Sequence, residues 1–236
     1  MAAPQIEGLV WSLRHGVSRT SAAAVLRGLA VYSYAKVAIA EAGGIPPLVQ
    51  LLRDGSEDAK VETAAALRNL THGSDANKVA IAEAGGIPLL VQFLRDGGAG
   101  TKKWSAGALR NLASNNAANR VVIAEAGGVS LLVQLLRDGC AEAKFEAWAA
   151  LCNLSCNNDA NKVAIAEAVG LEAIVQLARG GRVTVDYGLV VENAGVPAKR
   201  KAALVVAALL RACVPEELRS RVDVQHVIRG VIGPYL

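Results

Sequence analysis

Asn77–Pro88 reads NKVAIAEAGGIP, and most of that word returns elsewhere in the chain. Extended toward the C-terminus, Lys78–Gly97 (KVAIAEAGGIPLLVQFLRDG) agrees with Lys36–Gly55 (KVAIAEAGGIPPLVQLLRDG) at 18 of 20 positions. The word opens again at Arg120 (RVVIAEAGGV) and at Lys162 (KVAIAEAVGL), each time after the same step. A second word keeps that beat: LRNL at Leu67 and Leu109, LCNL at Leu151 and a degenerate LRGL at Leu26. Self-similarity at a fixed period marks a repeat architecture, in which each copy buries its apolar face against its neighbours.

Punctuation cuts each repeat into three pieces. Asp75–Ala84 is rich in Ala, with Asp and Asn at its start, and reads as a short capped helix ended by Gly85-Gly86. Its V-A-I-A alternation would suit a strand, but the Ala and Glu content argues against one. Pro88 fits a first helical turn, where a missing N–H is tolerated, and Leu89, Leu90, Phe93 and Leu94 follow at helical spacing up to Asp96-Gly97. Lys102–Leu112 supplies a third Ala/Leu-rich helix, and in the preceding copy Ser56-Glu57-Asp58 offers a cap and an acidic first turn. Three helices in a period of about 42 residues exclude leucine-rich repeats, whose period is ~20–29 residues, and disfavour the two-helix repeats of ~34 residues.

With period, glycine break and LxNL word in place, the stretch from Ile6 to Gly181 resembles the armadillo-repeat family. That resemblance implies an all-α, right-handed superhelical solenoid of three-helix repeats, whose third helices line a concave groove. Residues 1–181 are thus read as repeats, the first of them incomplete because it lacks the opening helix and begins with L-V-W-S-L-R-H-G at Leu9, in place of L-V-Q-L-L-R-D-G at Leu48. Residues 182–196 read as an irregular insertion: the step from the RDG glycine to the third-helix leucine runs from Gly139 to Leu151 in one copy, but more than twice as far, from Gly181 to Leu209, in the last. Residues 197–236 read as degenerate C-terminal helices of the same kind. Solenoid ends need polar caps, and neither end has the look of one, so a fragment or a partner-covered end is expected.

At 100° per residue, the third-helix positions sort by direction. Glu62 lies about 20° and Ala65 about 40° from Asn69, while Leu67 points about 160° away, toward the neighbouring helices. The polar stripe recurs as Asn69, Asn111 and Asn153. In the family such asparagines face the groove and bond the backbone of an extended peptide, which suits an amide carrying both donor and acceptor. Family members that serve as nuclear-import adaptors place Trp four residues before that Asn; here those positions are Ala65, Gly107 and Ala149. Trp104, seven residues before Asn111 and about 20° off it, is instead a single candidate aromatic floor. Arg27, Arg68 and Arg110 precede the Asn position, the series lapses at Cys152, and Arg211 stands at the Asn position of the last third-helix-like segment. Guanidinium groups beside Asn rungs suit an acidic or phosphorylated peptide, held by forked hydrogen bonds. Glu62 and Glu146 work against a purely acidic ligand. The bland alternative is that Asn and Arg are inherited consensus, Asn tying the loop between units and Arg solvated.

Other chemistries find little support. The net charge is +4, with 17 Lys/Arg against 16 Asp/Glu in residues 1–181, too scattered for nucleic-acid binding. Cys140, Cys152, Cys156 and Cys213 form no CxxC pair, and His15, His72 and His226 are isolated, so neither a metal centre nor a general acid–base pair is indicated. Gly97–Lys103 (GGAGTKK) lacks the order of a phosphate loop. The longest apolar run, Ala202–Leu210, has nine residues, about half of what a bilayer crossing needs, so no direct membrane insertion is expected. The cysteine pattern favours a reducing, cytoplasmic or nuclear setting.

The expectation is therefore a non-catalytic protein-interaction scaffold without cofactor, binding an extended peptide or partner protein in its groove. The candidate groove residues are Asn69, Asn111, Asn153, Arg68, Arg110, Trp104, Glu62 and Arg211. Two alternatives stand beside it: a substrate-recognition subunit of an enzyme complex such as a ubiquitin ligase, and a structural assembly subunit docking through its ends or the 182–196 insertion. Ligand and oligomeric state are not legible in the residues.

Overall fold

The computed structural model describes residues 3–158 together with 160, 161, 164, 165 and 168. The 182–196 insertion, the 197–236 segment and Arg211 lie outside the described residues. The chain divides into two units, Met1–Asn153 and Leu154–Leu236.

The described residues form eleven α-helices and no strand. Helices α1 (Ala3–His15) and α2 (Arg19–Leu29) come first. Three consecutive sets of three follow: α3 (Ser33–Glu41), α4 (Ile45–Asp54) and α5 (Glu57–Thr71); α6 (Asp75–Glu83), α7 (Gly86–Asp96) and α8 (Ala99–Ala113); α9 (Ala117–Glu125), α10 (Gly128–Asp138) and α11 (Ala141–Ser155). The cut made on the sequence thus recurs, with most ends shifted by only a few residues. The cap of α6, for instance, is Ser74, whose Oγ accepts from Asn77 N at 3.4 Å.

The double glycine explains the turn between first and second helices. Gly43, Gly85 and Gly127 adopt φ of 68°, 77° and 80°, a left-handed conformation that side chains with a Cβ resist. The second glycine serves packing instead: a Cβ on Gly86 would lie 2.8 Å from Ile81 Cγ2 and 2.9 Å from the Ile81 carbonyl oxygen. One glycine bends the chain and the next lets the helices close on each other.

The third helices pack side by side, α2 against α5 and α5 against α8. Leu67, Leu70, Leu109 and Leu112 are fully buried, each worth ~1.5–3 kcal/mol of transfer free energy. Buried cations close the first two of these sets, joining the first helix of each to the end of its third. Lys36 Nζ donates to the His72 carbonyl at 2.6 Å and Lys78 Nζ to the Ser114 carbonyl at 2.8 Å, at the C-termini of α5 and α8. A helix C-terminus carries unsatisfied carbonyls and partial negative charge, so a cation there is favoured. Burial lowers the Lys36 pKa from its ordinary value.

Candidate functional site

Asn69, Asn111 and Asn153 stand on α5, α8 and α11, and all three amides bond in one way. Asn69 Nδ2 donates to the Arg27 carbonyl at 3.0 Å, Asn111 Nδ2 to the Arg68 carbonyl at 2.8 Å and Asn153 Nδ2 to the Arg110 carbonyl at 2.9 Å. Each asparagine therefore stitches its helix to the third helix of the repeat before. The side-chain oxygens of the first two accept from their own preceding arginines: Arg68 Nη1 to Asn69 Oδ1 and Arg110 Nε to Asn111 Oδ1, both at 3.2 Å. An amide nitrogen carries two protons, and these contacts use one.

The guanidinium groups expected to flank the rungs are engaged inside the chain. Arg27 pairs with Glu62 across α2 and α5 at 3.1 Å, and Arg110 pairs with Glu146 across α8 and α11 at 2.7 Å. At the intervening step the Glu position is occupied by Trp104. Arg68 there lies over the indole, 5.8 Å from its centroid, and reaches Glu146 Oε1 at 3.5 Å, two third helices away. Gly107 makes that reach possible: a Cβ at this position would come within 3.2 Å of both Arg68 Cγ and Glu146 Cδ.

Glu146 is buried and serves two arginines, while Arg68 keeps about a third of its side chain exposed. Burial pushes the Arg110 pKa below its ordinary value; Glu146 opposes that shift and the Arg68 charge adds to it. Arg68 Nε is buried without a hydrogen-bond partner.

The sequence reading named this stripe, with Arg27 in its arginine series and Gly107 only as a position without an aromatic wall, but missed Lys103, whose Nζ lies 4.4 Å from the Trp104 centroid, and the part Gly107 plays in admitting the long pair. Lys103 is visible as the residue preceding Trp104, whereas the role of Gly107 depends on Arg68 in the repeat before and Glu146 in the repeat after, and has no local signal. The structure brings Arg68, Trp104, Arg110 and Asn111 together with Glu146, and Glu62 lies one helix step away beside Arg27. A cleft of about 500 Å³ elsewhere, lined by Ile45, Val49, Arg53 and Glu83, contains none of the stripe residues.

A family model described as Armadillo/beta-catenin-like repeat matches residues 34–72, 74–114 and 116–156. No curated protein matches the chain. Among solved structures, a designed armadillo repeat protein is 28% identical with a TM-score of 0.72, the match covering 98% of this chain and 100% of that one. A second designed armadillo repeat protein, in complex with peptide (KR)4, is 25% identical with a TM-score of 0.71, covering 98% and 99%. An engineered protein is 30% identical with a TM-score of 0.72, covering 98% of this chain and 57% of that one.

Proposed function

Because the chain belongs to the armadillo-repeat family, an all-α solenoid architecture, we propose that it is a non-catalytic scaffold whose third helices hold an extended peptide of a partner protein. The observation that carries this reading is the row Asn69, Asn111 and Asn153, one per repeat, each with a single amide proton committed to the neighbouring repeat. The remaining proton can meet a carbonyl of a strand-like ligand, and an even spacing of donors suits a backbone better than a compact molecule. Support also comes from the similar designed protein whose structure holds a peptide, (KR)4.

The test is selection of binders from a random peptide library, followed by hydrogen exchange of the chain with and without a selected peptide. Slowed exchange concentrated in α5, α8 and α11 is expected. Protection confined to the first and second helices would sink the proposal, since the ligand would then sit on another face.

A further inference from the structure

We infer that this face selects acidic over basic peptides, and that a ligand carboxylate docks against Arg68 and Lys103 beside Trp104. The inference rests on the peptide-binding reading and specifies its ligand. At the α2–α5 step one guanidinium meets one carboxylate, Arg27 with Glu62. At the next step the carboxylate position is Trp104, so Arg68 has no acid of its own and shares Glu146 with Arg110. The share is unequal, 2.7 Å to Arg110 against 3.5 Å to Arg68. Lys103 adds a third cation over the same indole. Three cations thus gather where one buried carboxylate serves; Glu142, fully exposed, feels the Lys103 charge through solvent and offsets it little.

The indole itself gives the same answer. A basic ligand side chain would use an aromatic face as its cation acceptor, but Trp104 already receives Lys103 and Arg68 from its own chain. What remains open to a ligand is cationic charge, at Lys103 and most plainly at the guanidinium of Arg68, which is part-exposed and stands 3.5 Å from the carboxylate it shares. A carboxylate supplies what such a guanidinium lacks, in a planar, forked geometry.

The experiment measures fluorescence anisotropy of labelled (DE)4 and (KR)4 peptides on the full chain at about 50 mM salt, where screening is weak. The expected result is at least about tenfold tighter binding of (DE)4, and a loss of about tenfold in Arg68→Gln/Lys103→Gln, the scale of one charge-assisted contact. Lys103→Gln alone touches no buried partner, so a several-fold loss with an unchanged circular dichroism spectrum guards against misfolding. Preference for (KR)4, or (DE)4 binding indifferent to both variants, overturns the inference and leaves the peptide-binding reading standing. Binding of neither peptide also overturns it, and the library-selected peptides then decide the broader reading by themselves.

Discussion

Helices α5 and α8 hold the same place in consecutive repeats, yet they start differently. α5 is capped by its own Ser56, whose Oγ accepts from Ala59 N at 3.3 Å, and it carries Glu57 and Asp58 in its first turn. α8 begins after Gly98, with no side-chain cap and no acid in its first turn. Its cap is borrowed: Glu57 of α5 accepts from Thr101 Oγ1 at 2.7 Å and from Gly98 N at 3.4 Å. Their faces differ in the same manner, Glu62 and Ala65 on α5 answering to Trp104 and Gly107 on α8. Where one copy loses a polar group, a side chain of another repeat supplies it. Contacts between repeats are therefore less uniform than the words that encode them.

The largest effect expected from this contrast lies at the asparagines. Asn111 is buried, whereas Asn69 is half-buried. Asn111→Ala takes from the Arg68 carbonyl one of its two side-chain donors, Thr71 Oγ1 remaining, and strips the largely enclosed Arg110 Nε of its acceptor, and about 2 kcal/mol should be lost. Asn69→Ala, whose partners can turn to solvent, should cost about half as much, ~1 kcal/mol. Urea unfolding of both variants checks this; equal losses would mean that the α5–α8 and α2–α5 junctions are energetically alike despite their different burial.

Caps come next. Glu57→Ala should cost at most about 1 kcal/mol, the usual worth of an N-cap, and Gly98→Ser in that background should restore part of it. The same measurement carries a pH signature. The Thr101 hydroxyl foremost, then Gly98 N–H and the Lys60 charge, hold the Glu57 carboxyl below its ordinary pKa, against an opposing effect of burial. A depressed folded-state pKa stabilises fully above the unfolded value, about 4.3, and that stabilisation fades as pH falls through the folded value. The acid limb of the stability profile should therefore be shallower in Glu57→Ala. An unchanged limb would show that α8 does not depend on its borrowed cap.

These effects divide along the line of what the sequence could reveal. The regular beat, the Gly85-Gly86 break and the Ser56 cap are local patterns, governed by glycine's access to positive φ and by capping chemistry, and they were legible. The polar stripe was legible too, because angular position on one helix follows from residue number. What each stripe residue touches was not. Arg68 and Glu146 lie nearly two repeats apart in the chain, on helices that are not neighbours; periodicity orders directions within a repeat and says nothing about which side chains span two of them. The row of asparagines shows the same limit, since an amide facing a groove and an amide stitching two helices occupy one angular position.

Gly107→Ala is the smallest and sharpest test of the contrast. Alanine in a helix interior is favoured over glycine by about 1 kcal/mol, and Ala65 holds the same place on α5 without difficulty. On α8 the new Cβ would stand 3.2 Å from Arg68 Cγ and from Glu146 Cδ, so both side chains must yield by a few tenths of an ångström. Their contact, already 3.5 Å, then lengthens, and a part-exposed ion pair of this kind is worth up to about 1 kcal/mol. The two terms oppose each other, and a net change within about 0.5 kcal/mol is expected. In a Glu146→Ala background one wall is gone, so the same substitution should yield nearly the whole propensity gain. A coupling between the two sites in a double-mutant cycle measures the repeat-skipping pair. Full stabilisation in the unmodified chain would instead show that Arg68 and Glu146 gain nothing from each other, leaving the borrowed cap as the difference that matters between α5 and α8.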